Sequence, residues 1–527
     1  MFHTKQATEF EKNIWLLPIL LFIGAVVVRL YLVFFSNVIT PDGILYIKIT
    51  KLIESGDWKK ASEFSFGGKS DIHLYLFLLS FFHKVIPDWE LAGRMVSVLM
   101  GSLAVIPFFL LIKGIFDIRI AAISSLFYII SPRLADYSSD VLREPTFWFF
   151  SITALWLAWG GISRRSLPYL ILSSFFTGLS IFTRIEGFSI LAVIFLWIIW
   201  HYWKRDSDYR RLLLSLLVFI IALPVLFSPF FILLRIKLGE WNFSYALTKI
   251  SLLMMSGSKE TLELTPNNIQ GLPPVIPVFL ELAKSHRYII FLSDVLLKLF
   301  KSLNVVFACL AIIGILGRRR IAYNRSEILI AIWFGVFFLT AFLYLSKIYY
   351  LSGRHGLLMG IPMLIWAGIG FLELEDRVSS WLKRIRPAHF LTKNTTAVLI
   401  LLILIVVLPK TLSPGSCEKR ELKEAGLYLK AKGYSGVVFA GEPRLYRIAF
   451  YADSEFDSLP FAQTIDELVG FMKKGNARFL ILDEKTDNAS YRNILNSLQP
   501  SVFEKVDLPA LEKFREYSLS LYRLKDR

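Results

Sequence analysis

Cysteine is nearly missing from this chain: two residues in 527, Cys309 inside an apolar run and Cys417 in a polar stretch. Such a pair offers no disulfide framework, and neither residue has the neighbours of a metal-binding motif. Histidine is scarce as well, seven in all, and His73 and His83 are spaced in a way that matches no metal-ligand pattern. There is no glycine-rich phosphate loop, internal repeat or low-complexity tract. Acidic residues are the minority charge, 42 against 59 Lys and Arg, which leaves a formal net charge of +17. No basic stretch carries a nucleic-acid motif, so nucleic acid is not an expected partner and the positive excess needs another explanation.

What is abundant is apolar surface. The chain is 55% hydrophobic and 15% aromatic, with a mean hydropathy of +0.55. Runs of about 18 or more apolar residues read as membrane-spanning helices. They fall near 14–35, 91–116, 120–131, 145–161, 167–182, 185–203, 212–234, 303–316, 328–345, 357–371 and 397–408. That makes about eleven spans, and the expected class is an all-α polytopic membrane protein. The first run follows Glu11 and Lys12 and lacks a small-residue cleavage site after it, so it reads as a retained anchor.

Charge gives the orientation. With the N-terminus in the cytoplasm and strict alternation, the inner loops hold Lys113 and Arg119, Arg164 and Arg165, Lys204 to Arg211, Arg318 to Arg325, and Arg377 to Lys393. Every inner loop is then basic, as the positive-inside bias requires, and the +17 is accounted for. The expectation is a multi-pass protein of an inner or plasma membrane. The outer face would hold a first loop at about 36–90, a long amphipathic section at about 235–301, and the C-terminal tail. The pieces 245–255 and 278–290 of the long section read as helices lying along the interface. The membrane domain would run over 1–412. From 413 to 527 the composition is that of a small soluble α/β domain: helices at 418–432 and 465–474, strands at 437–440, 479–482 and 517–522. Asn242 and Asn488 sit in glycosylation acceptor patterns too short to carry weight.

The stretch that organises the rest is Asn-Val-Ile-Thr-Pro-Asp-Gly-Ile-Leu-Tyr, residues 37–46. Asp42 stands between Pro41, which fixes one backbone angle, and Gly43, which relaxes the next, so a sharp turn is expected there. A carboxylate held at a membrane-surface turn is placed for acid–base work. Other charges next to span ends on the same face are Asp140, Arg143 and Glu144; Arg184 and Glu186 in Thr-Arg-Ile-Glu-Gly; and Lys347, Arg354 and His355. Charges at the boundary inside a bundle are costly and point to function. Ion-pair networks gather at such places too, so Arg184 and Glu186 read equally well as loop-fixing residues. Arg354 reads alternatively as a snorkelling span cap and His355 as an ordinary interfacial histidine.

Taken together, the order of these features resembles the lipid-carrier-dependent membrane glycosyltransferases of the GT-C class, in particular the protein O-mannosyltransferase and aminoarabinose-transferase branch. The resemblance is carried by Asp42, the segment Asp71-Ile-His-Leu-Tyr, Leu91-Ala-Gly-Arg94, Ser131-Pro-Arg, Thr183-Arg-Ile-Glu-Gly and Gly353-Arg-His, over roughly residues 10–410. It implies a polyprenyl-phosphate sugar as donor, Asp42 as the base that deprotonates an acceptor hydroxyl, and inversion at the sugar. It implies that Asp140 or Glu144, with Glu186, His73 and Tyr75, contact acceptor or donor. It also implies that Arg354, Arg184, Lys347 and Arg143 bind the donor phosphate. Acceptors in such families are glycans, lipids or proteins. Relatives commonly read His-Pro-Pro-Leu-Tyr in the first loop, and the missing prolines leave the acceptor side open. No metal site is expected, although a carboxylate pair would suffice to recruit a divalent cation. The competing expectations are a transporter or flippase of a lipid-linked or anionic substrate, which would show inverted repeats and midplane charges, a non-catalytic scaffold, and a lipid-linked-oligosaccharide ligase, which uses similar substrates but usually relies on a large late outer loop rather than an acidic first one.

Overall fold

The computed structural model describes residues 16–35, 38–63, 72–203, 208–239, 285–318, 321, 323–385, 394–413, 420–459, 465–486, 488–508 and 517–525. Cys417, Asn242, the interfacial piece at 245–255 and most of that at 278–290 lie outside these residues. The chain divides into two compact units: Met1–Leu32 with Tyr46–Ser413, and Val33–Leu45 with Pro414–Arg527. The sequence drew its boundary at 412 and assigned nothing earlier to the second domain, whereas the structure groups the Asp42 segment with it.

In the first unit each apolar run coincides with a helix. In chain order these are α1 (Leu16–Phe35), α2 (Pro41–Glu54), α3 (Trp58–Glu63), α4 (Leu74–His83), α5 (Trp89–Leu103), α6 (Val105–Ile115), α7 (Ile118–Ile130), α8 (Pro132–Tyr137) and α9 (Glu144–Ser163). They continue with α10 (Leu167–Thr183), α11 (Gly187–His201), α12 (Tyr209–Leu238), α13 (Arg287–Leu303), α14 (Val305–Leu316), α15 (Ile328–Ile348), α16 (Gly353–Ile385) and α17 (Thr395–Leu412). Among the described residues seven stretches are long and apolar enough to cross a membrane: α1, α5 with α6, α9, α12, α15 with its leading 3-10 turn, α16 and α17. The protein is a multi-pass membrane protein. The pair α13–α14 makes an eighth candidate, bent by 109°. The bend falls at Asn304, whose φ is +73° and whose side chain accepts from the amide of Val306 to cap α14. Helices α7, α10 and α11 are apolar but only 13, 17 and 15 residues long, less than the roughly 20 a bilayer calls for. The figure of about eleven is reached only by counting them and the bent pair.

The expected turn at Pro41-Asp-Gly is instead the start of a helix. Pro41 is the first residue of α2, a position where its missing N–H is not needed and its fixed φ suits the helix. The 36–90 section is accordingly helical for much of its length.

Helix α16 runs through the middle of the first unit, against α13, α14, α7 and α15. Its closest neighbour is α14, because two glycines face each other's backbone. A Cβ on Gly314 would collide with the carbonyl of Trp366, and one on Gly370 with the carbonyl of Leu310. Small residues of this kind are how helices approach inside a membrane, where no hydrophobic effect drives them together.

The second unit has helices α18 (Arg420–Ala431), α19 (Tyr446–Tyr451), α20 (Ile465–Lys474) and α21 (Ala489–Ser497). Its strands are β1 (Val438–Gly441), β2 (Glu455–Ser458), β3 (Phe479–Asp483), β4 (Phe503–Val506) and β5 (Leu519–Leu524). The sheet order is β2-β1-β3-β5-β4, parallel across β2, β1 and β3 and antiparallel beyond. Alternation sorts β3 between two cores. Ile481 joins Leu422, Ala425 and Ile448 of α18 and α19, while Leu480 and Leu482 join Leu468, Met472 and Ile494 of α20 and α21.

Candidate active site

Four charged residues from three places in the first unit meet at one point. Glu144 is the first residue of α9 with Pro145 behind it, and a helix N-terminus favours a carboxylate. Arg184 and Glu186 occupy the corner between α10 and α11. That corner is tight, because a Cβ on Gly187 would collide with the backbone of Ile181, so the glycine of Thr-Arg-Ile-Glu-Gly has a steric reason. Arg354 opens α16, whose start is tied down by Ser302 Oγ donating to the carbonyl of Gly353 at 3.1 Å.

Arg184 uses its whole fork. Nε and Nη2 donate to the two oxygens of Glu186, Nε at 3.1 Å, and Nη1 donates to Glu144 Oε1. Arg354 Nη1 reaches the same oxygen at 3.1 Å. His355 Nε2 lies 3.7 Å from Glu186 Oε1, its ring stacked on Tyr344. Glu144 is 2% and Arg184 6% exposed, whereas the Arg354 side chain keeps 24%. Arg184 is therefore the enclosed guanidinium of the cluster and Arg354 the more exposed one.

Burial opposes the charge on Glu186, but Arg184, with His355 and Arg143, outweighs it and holds the carboxyl well below the usual range. Burial likewise opposes the charge on Arg184, and Glu186 and Glu144 overcome it, so its pKa is raised. His73 has no such partner. Burial, then Arg143 and Arg184, push it well below its ordinary 6.5 and keep the imidazole neutral.

The other expected residues divide. Arg143 lies beside the cluster, its guanidinium 5.8 Å from the ring centroid of Tyr46. The His73 ring meets Tyr46 edge-on at 4.9 Å. Tyr75 is spent on packing: its hydroxyl donates to the carbonyl of Gly93 at 2.9 Å. Asp140 accepts from its neighbour Val141 at 2.7 Å and is close enough to be felt by Tyr75. Lys347, in the last turn of α15, makes no ion pair with the cluster among the described residues. Asp42 is half-buried in the first turn of α2 and belongs to the second unit, while Tyr46, four residues on, belongs to the first. Tyr46 was not singled out from the sequence. Its period-matched place one turn after Asp42 was the available signal.

Three guanidiniums, Arg143, Arg184 and Arg354, thus gather around the carboxylate of Glu144. Three of the four carboxylate oxygens of Glu144 and Glu186 are engaged by arginine, and Glu144 Oε2 is buried with no hydrogen-bond partner among the described residues. Among the described residues no group of three or more His, Cys, Asp or Glu is placed to hold a metal ion.

The fold is that of the GT-C class of membrane glycosyltransferases. It is similar to the Archaeoglobus fulgidus oligosaccharyltransferase AglB in its apo form, at 14% identity and a TM-score of 0.60, covering 95% of this chain and 72% of that one. It is also similar to ArnT from Cupriavidus metallidurans bound to undecaprenyl phosphate, at 14% identity and a TM-score of 0.56, covering 96% and 97%. The archaeal enzyme in complex with an inhibitory peptide and a dolichol-phosphate aligns at a TM-score of 0.57 and 14% identity, over 92% and 71%. Residues 73–230 match the dolichyl-phosphate-mannose-protein mannosyltransferase family. No curated protein matches the chain by sequence.

Proposed function

We propose that this protein transfers a sugar from a polyprenyl-phosphate carrier to an acceptor hydroxyl on the extracytoplasmic face of the membrane. The observation that carries the reading is the Glu144–Arg184–Glu186 frame, buried at Glu144 and Arg184, with Arg354 beside it. It is a set of guanidiniums aligned by carboxylates inside a membrane bundle, the donor type that suits a phosphate. The likeness to proteins solved with undecaprenyl phosphate and dolichol-phosphate supports the same donor class. The basic loops support a cytoplasmic N-terminus and an outer C-terminal domain.

In the mechanism Arg354, backed by Arg143, binds the phosphate as two-pronged donors do, and neutralises it as it leaves. Arg184 keeps Glu144 and Glu186 ionised and aligned. Glu144 Oε2, the unengaged carboxylate oxygen, accepts a hydrogen bond from a sugar or acceptor hydroxyl. Asp42 removes the proton of the attacking hydroxyl. One attack on the face opposite the phosphate inverts the anomeric carbon. With three of their four oxygens engaged by arginine, Glu144 and Glu186 offer a divalent cation one oxygen among the described residues, and no step is assigned to a metal.

The test is single-turnover transfer by the purified protein in lipid, offered a panel of polyprenyl-phosphate sugars, with Asp42→Asn alongside. Sugar loss from one carrier, stopped by the substitution, supports the transferase and identifies its donor. Binding of a carrier without consumption of any moves a lipid transporter ahead.

A further inference from the structure

We propose that the C-terminal α/β domain holds the Asp42 segment in place through Arg447 and Tyr451, which act as positioning residues for the transfer reaction. The proposal rests on the reading of Asp42 as the base, and it gives the domain a task that its own sequence does not suggest.

Both side chains come from α19 and both go to one residue. Arg447 Nε donates to the carbonyl of Ile39 at 3.2 Å, and the amide of Ile39 donates to the hydroxyl of Tyr451 at 3.2 Å. Residues 38–40 are in neither helix nor strand, and Ile39 is only 1% exposed. A buried backbone N–H and C=O need partners, and side chains more than 400 positions away supply both. The fit resembles the pairing of a strand edge, made by two side chains in place of a second backbone.

Little slack separates this grip from Asp42. Thr40 already accepts the first helical bond of α2 from Ile44 at 3.3 Å, and Pro41 has a fixed φ. A shift of Ile39 is therefore passed on to the carboxylate two peptide units after Thr40. The grip itself is stiff. A Cβ on Gly426 of α18 would come within 2.5 Å of the Ile448 carbonyl and of Tyr451 Cβ, and the Lys423 ammonium sits 4.9 Å from the Tyr451 ring centroid. Helix α18 thus pins α19 from behind.

The test uses the full-length protein in lipid nanodiscs as wild type, Tyr451→Phe and Arg447→Met. Hydrogen exchange is followed over residues 38–46 and, as an internal control, over β1 and β3. Transfer is measured with the polyprenyl-phosphate sugar that the wild type consumes. We expect faster exchange at 38–46 in both variants with β1 and β3 unchanged. We expect kcat down by roughly ten-fold or more with KM for the carrier unaltered, since misplacement of a reacting group by about 1 Å costs up to 10²-fold. Arg447→Lys should recover part of the loss. Unchanged exchange at 38–46, or faster exchange with wild-type kcat, would overturn the proposal. Should Arg447→Met disturb β1 and β3, Tyr451→Phe, which removes one hydroxyl, decides alone. If the wild type consumes no carrier, the transferase reading fails, and the exchange experiment still decides whether the domain holds the segment.

Discussion

Arg354 and Glu144 stand 210 positions apart in the chain, yet a guanidinium nitrogen of one lies 3.1 Å from a carboxylate oxygen of the other. The same oxygen takes Arg184 Nη1. Two arginines on one oxygen leave the second oxygen of Glu144 unengaged among the described residues. The two arginines differ in exposure, and that difference separates what their loss should do.

Replacing Arg184 by Met should damage folding first. It takes the forked partner from Glu186 and leaves buried Glu144 with Arg354 alone, and breaking a buried pair by removing one partner costs about 3–5 kcal/mol. Thermal melting in detergent and the yield of monodisperse protein would show it. Arg184→Lys should rescue poorly, because a lysine cannot fork to two acids. Arg354→Ala should melt close to wild type and instead weaken binding of undecaprenyl phosphate, measured by titration. Wild-type binding in that variant would remove Arg354 from the phosphate site.

Asp42→Asn should leave carrier binding in place and slow transfer by about 10²–10⁴-fold, the contribution expected of a general base. The comparison to make is binding against single-turnover rate on one preparation.

Stability should fall on acidification through several groups of the same sign, His73 and Glu186 among them. His73 has a folded pKa below its ordinary 6.5, so below that pH the unfolded chain takes a proton that the folded one refuses. Glu186 is also depressed, and its contribution is present above the ordinary carboxylate pKa and lost as pH drops further. Melting temperature should therefore decline from pH 7 towards 5.5 through His73, and again below about pH 4.3, the unfolded glutamate value. His73→Phe should flatten the first decline and keep the second.

Gly370→Val should abolish the folded protein, since its side chain would enter the backbone of α14 at Leu310. Losses above about 4–5 kcal/mol come from such overpacking or strain. Valine at Gly335, where an added Cβ meets nothing within 4 Å, is the control, and size-exclusion profiles would separate the two.

The membrane helices were readable because hydrophobicity writes them directly: every apolar run coincides with a helix. Span counting was less secure, since α7, α10 and α11 are too short to judge by length and the break at Asn304 carries only an asparagine as its signal. In the second unit β1, β3 and β5 were legible as apolar strands. Strand β2 (Glu-Phe-Asp-Ser) and β4 (Phe-Glu-Lys-Val) were not, because sheet edges need little apolar sequence. The site was visible as a set of charges near span ends. Its pairing was not, since no pattern in the chain says that residue 354 will find residue 144. The hydrogen bond of Tyr75, by which its hydroxyl ties α4 to α5, was likewise not written in the chain.

The bonds from Ile39 to Tyr451 and Arg447 have a consequence for the order of synthesis. The segment next to Asp42 leaves the ribosome well before its partners, which lie 412 and 408 positions later. At the usual 5–20 residues per second, roughly 20–80 s pass before both exist. Over that interval the nascent chain carries the Asp42 carboxylate without the groups that fix Ile39. A chain cut short anywhere before residue 447 would lack both side chains that bond Ile39.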